Sequence, residues 1–300
     1  MTQPAQRCGY VALVGRPNVG KSTLLNHLLG MKLAITSRKP QTTRRNLLGV
    51  DTRGACQTIY VDTPGIHDHL TRQLNRVMVR AATSVLADVD LVVMLVEHDR
   101  WTEEDELVLS HVRRAKAPAI AVMNKVDLLD DRAALLPAIE HLASFDTFDE
   151  FVPVSALKQQ GLDALRDVVE RYLPEQAHLF PEDQVTDQSL RFLVSEIVRE
   201  KIMRRLGDEL PHRTTVVIET YEETPTLTTV RAAVFVERAG QKRILIGREG
   251  QMLKSIGQDA RKDIEALVGT QVMLHLWVKV KKGWTNDSAQ LRRLGLDDPS

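Results

Sequence analysis

The chain has 300 residues with 40 basic and 40 acidic side chains, so its formal net charge is zero. This length predicts two domains, since single cores seldom grow beyond about 250–300 residues. Only two cysteines are present, which excludes a disulfide framework or a zinc cluster. The longest apolar run, residues 91–96, is far too short for a transmembrane helix.

Residues 10–173 alternate between short apolar runs and amphipathic stretches. The runs have the length of buried strands, and the stretches between most of them have helical spacing. This alternation predicts an α/β domain with a mostly parallel sheet and helices on both faces, which binds ligands at the carboxyl ends of its strands. The predicted strands are residues 10–14, 57–61, 90–96, 119–123 and 151–154, and the predicted helices are residues 22–29, 103–114, 132–143 and 162–172.

Pro174, Pro181 and the polar residues 182–188 interrupt this alternation, which predicts a domain boundary near residue 178. We expect a first domain over residues 1–178, a linker over 179–188 and a second, α+β domain over 189–300. Its predicted elements are a helix (189–206), strands (214–221, 228–237 and 243–246), a glycine-containing turn, a helix to about residue 268 and a last strand (271–280).

The segment after the first predicted strand matches the phosphate-loop pattern GxxxxGK[ST]. Its glycines let backbone N–H groups close on phosphate oxygens, and the following helix points its positive N-terminus at the same anion. Lys21 is predicted to bridge the β- and γ-phosphates, and the Ser22 hydroxyl to ligate Mg²⁺. The residues predicted to bind the phosphates are Gly15, Arg16, Pro17, Asn18, Val19, Gly20, Lys21, Ser22 and Thr23.

Two motifs after later strands indicate a guanine nucleotide. Asp62 of the DxxG motif can hold Mg²⁺ through water, and Gly65 can offer a backbone N–H to the γ-phosphate. Asp127 of the NKxD motif can accept from the N1–H and amine of guanine, and paired hydrogen bonds of this kind discriminate by about 10⁴-fold. Lys125 can lie over the base, and Asn124 can tie its loop to the phosphate loop. The nucleotide-binding residues predicted here are Asp62, Thr63, Pro64, Gly65, Ile66, Asn124, Lys125 and Asp127.

Two further segments complete the predicted nucleotide site. Ser155, Ala156 and Leu157 follow the next strand and can offer backbone N–H groups to the guanine oxygen. Thr42 and Thr43 lie in the polar segment 37–45, where a threonine that reaches Mg²⁺ only beside a γ-phosphate would make the segment an order–disorder switch. The alternative is a plain solvated loop. We prefer Thr43, so the predicted magnesium ligands are Ser22, Thr43 and Asp62.

The position after DxxG, where many GTPases carry a glutamine that orients the attacking water, holds Ile66. Hydrolysis is therefore slow, or depends on a partner's group, or on a bound cation. We hypothesise that Asn18 helps bind a monovalent cation such as K⁺; the alternative is a loop-stabilising hydrogen bond. The predicted catalytic residues are Lys21, Thr43, Gly65 and Asn18. His67, Asp68 and His69 could form a metal site, but a solvated loop is the preferred interpretation.

The second predicted domain carries a GxxG loop of the kind found in KH domains, where paired glycines let the backbone approach a sugar–phosphate chain. Residues 238–282 contain ten Lys or Arg against four Asp or Glu, a local excess of six positive charges. Such an excess favours a phosphate-backbone ligand over a merely solvated face. The predicted RNA-binding residues are Lys242, Arg243, Ile246, Gly247, Arg248, Glu249, Gly250 and Lys254.

In combination, these motifs resemble the Era family of bacterial ribosome-assembly GTPases over nearly all of the chain. The resemblance implies a P-loop NTPase G domain followed by a type II KH domain. The segments that carry it are residues 15–23, 41–44, 62–65, 124–127, 155–157, 180–183, 195–201, 246–250 and 276–284.

The resemblance also implies a function: a slow Mg²⁺-dependent GTPase that cycles between GTP and GDP. Its KH domain would bind the 3′ end of 16S ribosomal RNA, and it would act in maturation of the 30S subunit. It would be cytoplasmic, with some peripheral association with the inner membrane. The family also carries a hydrophobic residue where Ile66 stands. The short loop at residues 222–227 and the acidic Glu249 in the GxxG turn depart from its pattern.

Three other functions fit this sequence less well. A GTPase whose C-terminal domain docks a protein fits the GxxG loop and the local basic excess less well. A tRNA-modifying GTPase of the related family needs a C-terminal cysteine, but no cysteine follows Cys56. An ATP-dependent kinase or transport protein does not explain Asp127, because adenine lacks the N1–H and the amine that this carboxylate would bind.

Overall fold

The computed structural model describes residues 5–37, 42–66, 73–98, 100–207, 213–293 and 296. The chain forms two compact units that divide between Asp187 and Gln188. The first unit thus extends beyond the boundary predicted near residue 178, and takes in nearly all of the expected linker. No helix within the described ranges has both the length and the apolar run needed to cross a bilayer.

The first unit is built on a six-stranded sheet of order β2-β3-β1-β4-β5-β6. Neighbouring strands are parallel except for the edge strand β2, which runs antiparallel to β3. The predicted sheet class is therefore confirmed. The strands are β1 (Arg7–Val14), β2 (Leu47–Arg53), β3 (Cys56–Asp62), β4 (Leu91–Glu97), β5 (Ala119–Asn124) and β6 (Glu150–Pro153), and the helices are α1 (Lys21–Leu28), α2 (Gln73–Val85), α3 (Glu103–Val112), α4 (Leu135–Ala143) and α5 (Leu162–Tyr172).

Three elements of this unit differ from expectation. Strand β2 and helix α2 were not predicted; β2 is only partly buried, as an edge strand is, so it lacks the apolar run of the central strands. Helix α4 begins at Leu135 rather than at residue 132. The later start places Pro137 in the first turn, where its missing N–H costs nothing, whereas the predicted start would put it in the interior.

Residues 179–186 are fastened to the edge of the sheet. Gln57, which is fully buried, accepts hydrogen bonds at Oε1 from the N–H groups of Leu179 (2.9 Å) and Phe180 (3.0 Å). On β2, the Val50 N–H donates to the carbonyl of Val185 at 2.8 Å. Proline and polar residues gave this segment the composition of a linker, but side-chain and edge-strand hydrogen bonds attach it to the first unit.

The second unit packs helices against a three-stranded sheet of order β7-β8-β9. Strand β8 is antiparallel to β7 and parallel to β9, and the core joins α6 and α8 to the sheet. This is the predicted α+β arrangement. The elements are α6 (Leu190–Arg205), β7 (Thr214–Glu223), β8 (Leu227–Val236), α7 (Ala239–Ile246), α8 (Gln251–Val268), β9 (Gln271–Val280) and α9 (Ser288–Arg293).

The strand predicted at residues 243–246 is wrong, because these residues form the last turn of helix α7. The helix start is capped by Gln241, whose Oε1 accepts from the N–H groups of Glu237 and Arg238, both at 2.9 Å. Of the short apolar run that suggested a strand, Leu245 is fully buried in the core, whereas Ile244 is 55% exposed.

Candidate functional site

The phosphate loop joins the carboxyl end of β1 to α1 and lies against the base-side loops. Gly20 has φ +112°, and a Cβ there would fall 2.1 Å from Nδ2 of Asn124. That amide donates to the Val19 carbonyl at 2.8 Å, and its Oδ1 accepts from the Ala156 N–H at 2.9 Å. Asn124 thus ties the phosphate loop to the loops after β5 and β6, the contact expected from the sequence.

Lys21 lies at the centre of the phosphate loop. Its Nζ donates to the carbonyls of Gly15 (2.8 Å) and Arg16 (2.9 Å). Burial lowers its pKa to about 8, and the nearby Asp62 carboxylate opposes that shift. Because burial disfavours the charged amine, an anionic phosphate in the loop would stabilise its protonated form.

The structure brings together the three side chains predicted to bind magnesium. Ser22 Oγ donates to Asp62 Oδ2 at 2.7 Å and lies 2.8 Å from Thr43 Oγ1, which donates to the same carboxylate oxygen at 3.1 Å. Burial raises the pKa of Asp62, although Lys21 and the two hydroxyls lower it. Asp62 Oδ1 is buried without a hydrogen-bond partner among the described residues. This cluster of hard oxygen donors, with one unsatisfied, fits Mg²⁺.

The DxxG segment passes directly against the phosphate loop. A Cβ at Gly65 would lie 2.9 Å from the backbone nitrogen and Cα of Pro17, so only glycine allows this approach. The Thr63 hydroxyl donates to the Leu13 carbonyl at 2.8 Å, and the Ile66 side chain is fully buried in the core. The side chains of Thr63 and Ile66 are therefore not available to a nucleotide.

The cleft beside the phosphate loop also includes Ile35 and Thr36, which the sequence analysis missed. They precede the polar segment that suggested a switch, and no motif marks them. The residues that line the cleft are Pro17, Asn18, Gly20, Lys21, Ser22, Thr23, Ile35, Thr36, Ser37, Thr42, Thr43 and Gly65.

The predicted base-binding residues converge at the ends of β5 and β6. The Ser155 hydroxyl donates to Asp127 Oδ1 at 2.5 Å and accepts from the Lys158 N–H at 3.1 Å. Asp127 is half-buried, so its carboxylate is both oriented and accessible. Lys125 adopts a left-handed backbone conformation with φ +66°. The arrangement presents an acceptor pair beside a lysine stem, which suits the donor edge of guanine.

Arg16, predicted to contact phosphate, directs its side chain elsewhere. Its Nη2 lies 2.7 Å from Glu97 Oε2, and its Nε donates to Asp105 Oδ2 at 3.1 Å. Glu97 also contacts Lys125. Burial alone would raise the pKa of Glu97, but hydrogen bonds from Lys125 and Arg16 bring it below its ordinary value. Glu97 ends β4, so the rule that polar residues after a strand are site candidates could have found it.

The possible metal site at His67, Asp68 and His69 lies outside the described residues, as does Gln41 in the switch segment. Across the ranges that the structure does describe, no cluster of three or more His, Cys, Asp or Glu side chains could hold a metal ion.

The GxxG loop forms the turn between α7 and α8. Gly247, Glu249 and Gly250 all have positive φ, at +73°, +51° and +77°. A Cβ at Gly247 would lie 2.6 Å from Met252 Cβ, whereas the corresponding space at Gly250 is open. Arg248 and Glu249 point outward at the tip, so their side chains are accessible to a ligand.

A groove runs from this loop along α8 and β9. Of the residues predicted to bind RNA, Gly250 and Lys254 line this groove, whereas Ile246 packs against the core. The other lining residues were missed, although those on α8 recur at spacings of three and four and so share one helical face. The residues that line the groove are Gly250, Leu253, Lys254, Gly257, Gln258, Arg261, Leu274 and Leu276.

Comparisons with known proteins agree with both halves of this description. Residues 10–125 match the family model described as 50S ribosome-binding GTPase, and residues 209–285 match the KH domain model. Among curated proteins, GTPase Era of Ectopseudomonas mendocina is 55% identical over 295 residues, which cover 98% of this chain and 99% of that protein. GTPase Era of Marinobacter nauticus is 54% identical, covering 98% and 97%.

Two solved structures share the whole architecture. A crystal structure of Era in complex with MgGDPNP and nucleotides 1506–1542 of 16S ribosomal RNA superposes with a TM-score of 0.95 at 38% identity, covering 98% of this chain and 100% of that one. A variant of Aquifex aeolicus Era bound to GDP·AlF4⁻ gives the same values. The extent and identity of these matches show that the chain belongs to the Era family of GTPases.

Proposed function

We propose that this chain is a Mg²⁺-dependent GTPase that binds the 3′ end of 16S ribosomal RNA through its KH domain and acts in assembly of the 30S subunit. The observation that carries the proposal is the cluster of Ser22, Thr43 and Asp62 beside the phosphate loop. Thr43 belongs to the predicted switch segment, so its position links that segment to the metal site. Crystallised Era relatives with MgGDPNP and with GDP·AlF4⁻ support the same assignment.

Each residue of the nucleotide site has a separate proposed task. Lys21 would hold the β- and γ-phosphates, and the Gly65 N–H would donate to the γ-phosphate. Ser22, Thr43 and Asp62 would hold Mg²⁺, whose charge, when it is bound, offsets that of the β- and γ-phosphate oxygens. Loss of the γ-phosphate would weaken the interactions that hold Thr43 at the cluster. The switch segment that carries Thr43 could then leave the site.

The base assignment rests on Asp127, and one substitution tests it. Asp127→Asn replaces an acceptor oxygen by a donor amide, which suits the oxygen that xanthine carries in place of the guanine amine. We expect affinity for GDP to fall by about 100-fold or more and affinity for XDP to rise, because a mismatched pair of buried hydrogen bonds is heavily penalised. Competition of GDP and XDP against a fluorescent nucleotide measures both. An unchanged preference for GDP would refute the assignment.

We further propose that Asn18 helps bind K⁺ near the phosphates, since Ile66 is buried and cannot orient water. Asn18 is exposed in the phosphate loop and has a positive φ of 63°, so its amide can face the cleft. The expected result is a GTP turnover several-fold higher in potassium than in sodium, a difference that Asn18→Ala abolishes. Steady-state phosphate release in the two salts measures it. Equal rates in the unaltered protein would contradict the proposal.

The RNA assignment rests on the GxxG loop, on the basic segment 238–282 that contains it, and on the groove beside it. Arg248 at the tip and Lys254 on α8 would contact phosphates, while the leucines of the groove would face bases. The relative crystallised with nucleotides 1506–1542 supports 16S RNA as the ligand. Family membership further supports a cytoplasmic location with peripheral contact to the inner membrane, which we include in the proposal.

A further inference from the structure

Glu97 is shared by two cations that come from two different loops of the nucleotide site. Its Oε2 lies 2.7 Å from Arg16 Nη2 in the phosphate loop, and its Oε1 contacts Lys125 Nζ in the base-binding loop. The side chains of Glu97 and Arg16 are only 15% and 9% exposed. At such low exposure the Arg16–Glu97 pair is little screened by solvent, in contrast to ordinary surface salt bridges.

The Arg16 end of this arrangement is held from a second side. Its Nε donates to Asp105 Oδ2 at 3.1 Å, and the Asp105 side chain is fully buried. The same carboxylate oxygen accepts from the Thr102 N–H at 3.0 Å and from the Thr102 hydroxyl at 2.8 Å, at the capped start of α3. Arg16 therefore cannot turn away from Glu97 without disturbing a buried hydrogen-bond network.

The Lys125 side chain, on the other side of Glu97, is freer to move than Arg16. Lys125 is 33% exposed, and its long stem has several rotatable bonds that must be ordered before it can cover a base. A contact with Glu97 orders the stem in advance, because it fixes the ammonium at one place at the end of β4. A fixed stem loses less entropy when a nucleotide binds.

We propose that Glu97 is a positioning residue that couples the phosphate-binding loop to Lys125, so that ordering either one favours binding at the other. This inference rests on the proposed guanine-nucleotide function. It adds a side-chain connection to the link that Asn124 makes through its hydrogen bonds to Val19 and Ala156. Glu97 itself is not expected to touch the nucleotide.

The coupling should affect ground-state binding and leave the chemical step unchanged, because Arg16, Glu97 and Lys125 are not among the residues that line the cleft beside the phosphate loop. Glu97→Gln should weaken GDP and the GTP analogue GDPNP alike, by about tenfold, and raise KM for GTP by a similar factor. Turnover at saturating GTP should stay within about twofold of the unaltered protein. A general loss of structure would instead also lower turnover at saturating GTP.

The decisive test is a double-mutant cycle on GDP affinity, with Arg16→Gln and Lys125→Met measured singly and together. If Arg16 acts through Lys125, Arg16→Gln costs less affinity when Lys125 is already replaced, and we expect a coupling of about fivefold or more. The same cycle in the Glu97→Gln background should show none. Independent penalties in the unaltered background, or a coupling that survives Glu97→Gln, would overturn the inference.

Two controls keep this result separate from folding and from the proposed function. Glu150→Gln removes a carboxylate that pairs with Arg171 on an exposed face of the same unit, and it should leave GDP affinity unchanged. Circular dichroism and the unfolding temperature without nucleotide establish that each variant is folded. Failure of the unaltered protein to bind GDP would refute the proposed function, whereas binding with independent penalties would refute only the role of Glu97.

Discussion

At the scale of single residues, the nucleotide site depends on polar groups whose burial costs the folded protein stability. Asp62 is fully buried and Lys21 nearly so, and burial shifts both pKa values toward the neutral forms. Both groups are the ones proposed to meet Mg²⁺ and phosphate. The protein thus keeps charges in an unfavourable environment where a doubly charged cation and a phosphate anion would relieve the cost.

The pH dependence of Asp62 follows from this shift. Its pKa is raised in the folded state, so without metal the folded protein holds the proton more tightly than the unfolded chain does. The contribution of Asp62 to stability is therefore greatest below its ordinary pKa of about 4 and is lost as pH rises through the raised value. Asp62→Asn should remove this loss. Urea unfolding at a series of pH values, without Mg²⁺ and nucleotide, measures it.

The same variant should lose the Mg²⁺ dependence of nucleotide binding. In the unaltered protein, protons and Mg²⁺ compete for one carboxylate, so the benefit of Mg²⁺ for GDP affinity should shrink as pH falls through the raised pKa. Ser110→Ala, a substitution of a hydroxyl that bonds only within α3, serves as the control. An Asp62→Asn protein with the same pH slope and the same Mg²⁺ response would show that Asp62 is not the group involved.

At the scale of elements, the turn between α7 and α8 contains three residues with positive φ, two glycines and one acid, and each has a different structural reason or cost. Gly247 is required by packing, because a side chain would collide with Met252, whereas Gly250 has open space and is required only by its positive φ. Glu249 adopts φ +51° between them, which is unfavourable for a residue with a Cβ. An acid in a strained conformation faces the place where a phosphate chain would pass.

Replacing this acid should improve both stability and RNA binding. Asparagine tolerates the left-handed conformation better, so Glu249→Asn should stabilise the second unit by about 0.5–1 kcal/mol. Removing a charge that repels phosphate by roughly 1 kcal/mol should raise affinity for single-stranded RNA by about fivefold at low salt. Thermal unfolding and fluorescence anisotropy check these values. Glu223→Gln, at the exposed end of β7, should change neither; weaker RNA binding by Glu249→Asn would mean that the acid contacts the RNA directly.

Two of the elements that sequence patterns missed, β2 and α7, share a physical cause. Strand β2 lies at a sheet edge and the helix α7 exposes much of its surface, so neither has the long apolar run that marks a buried element. Residues 179–186 are held by the buried Gln57 and by the edge of β2, which are contacts distant in sequence. Contacts of this kind cannot be predicted from the local amino-acid composition of the segment.

At the scale of the whole molecule, the sequence predicts more of the nucleotide site in the first unit than of the RNA-binding groove in the second. The phosphate loop and the motifs at Asp62 and Asn124 follow strands directly, so their convergence at one edge of a parallel sheet follows from topology alone. The Arg16–Glu97–Lys125 arrangement was not predicted, since it depends on side-chain directions. In the second unit the GxxG turn could be predicted from its sequence motif. The groove could not, because it forms only where α8 and β9 lie side by side.

We propose that the switch at Thr43 extends beyond the first unit, so that its nucleotide state governs RNA binding by the second. The measurement that tests it most directly is the affinity for the 3′-terminal segment of 16S ribosomal RNA, by fluorescence anisotropy, with GDPNP and with GDP in the presence of Mg²⁺. We expect binding to be at least about fivefold tighter with GDPNP, a typical coupling between two sites.

Raising salt from about 50 to about 200 mM should weaken this binding by about twentyfold, for ~3 phosphate contacts on a single strand. Arg248→Ala, at the tip of the GxxG loop, should weaken the binding and reduce its salt dependence. Equal affinity in the two nucleotide states would contradict the switch. Failure to bind the RNA at any salt concentration would favour a C-terminal domain that docks a protein.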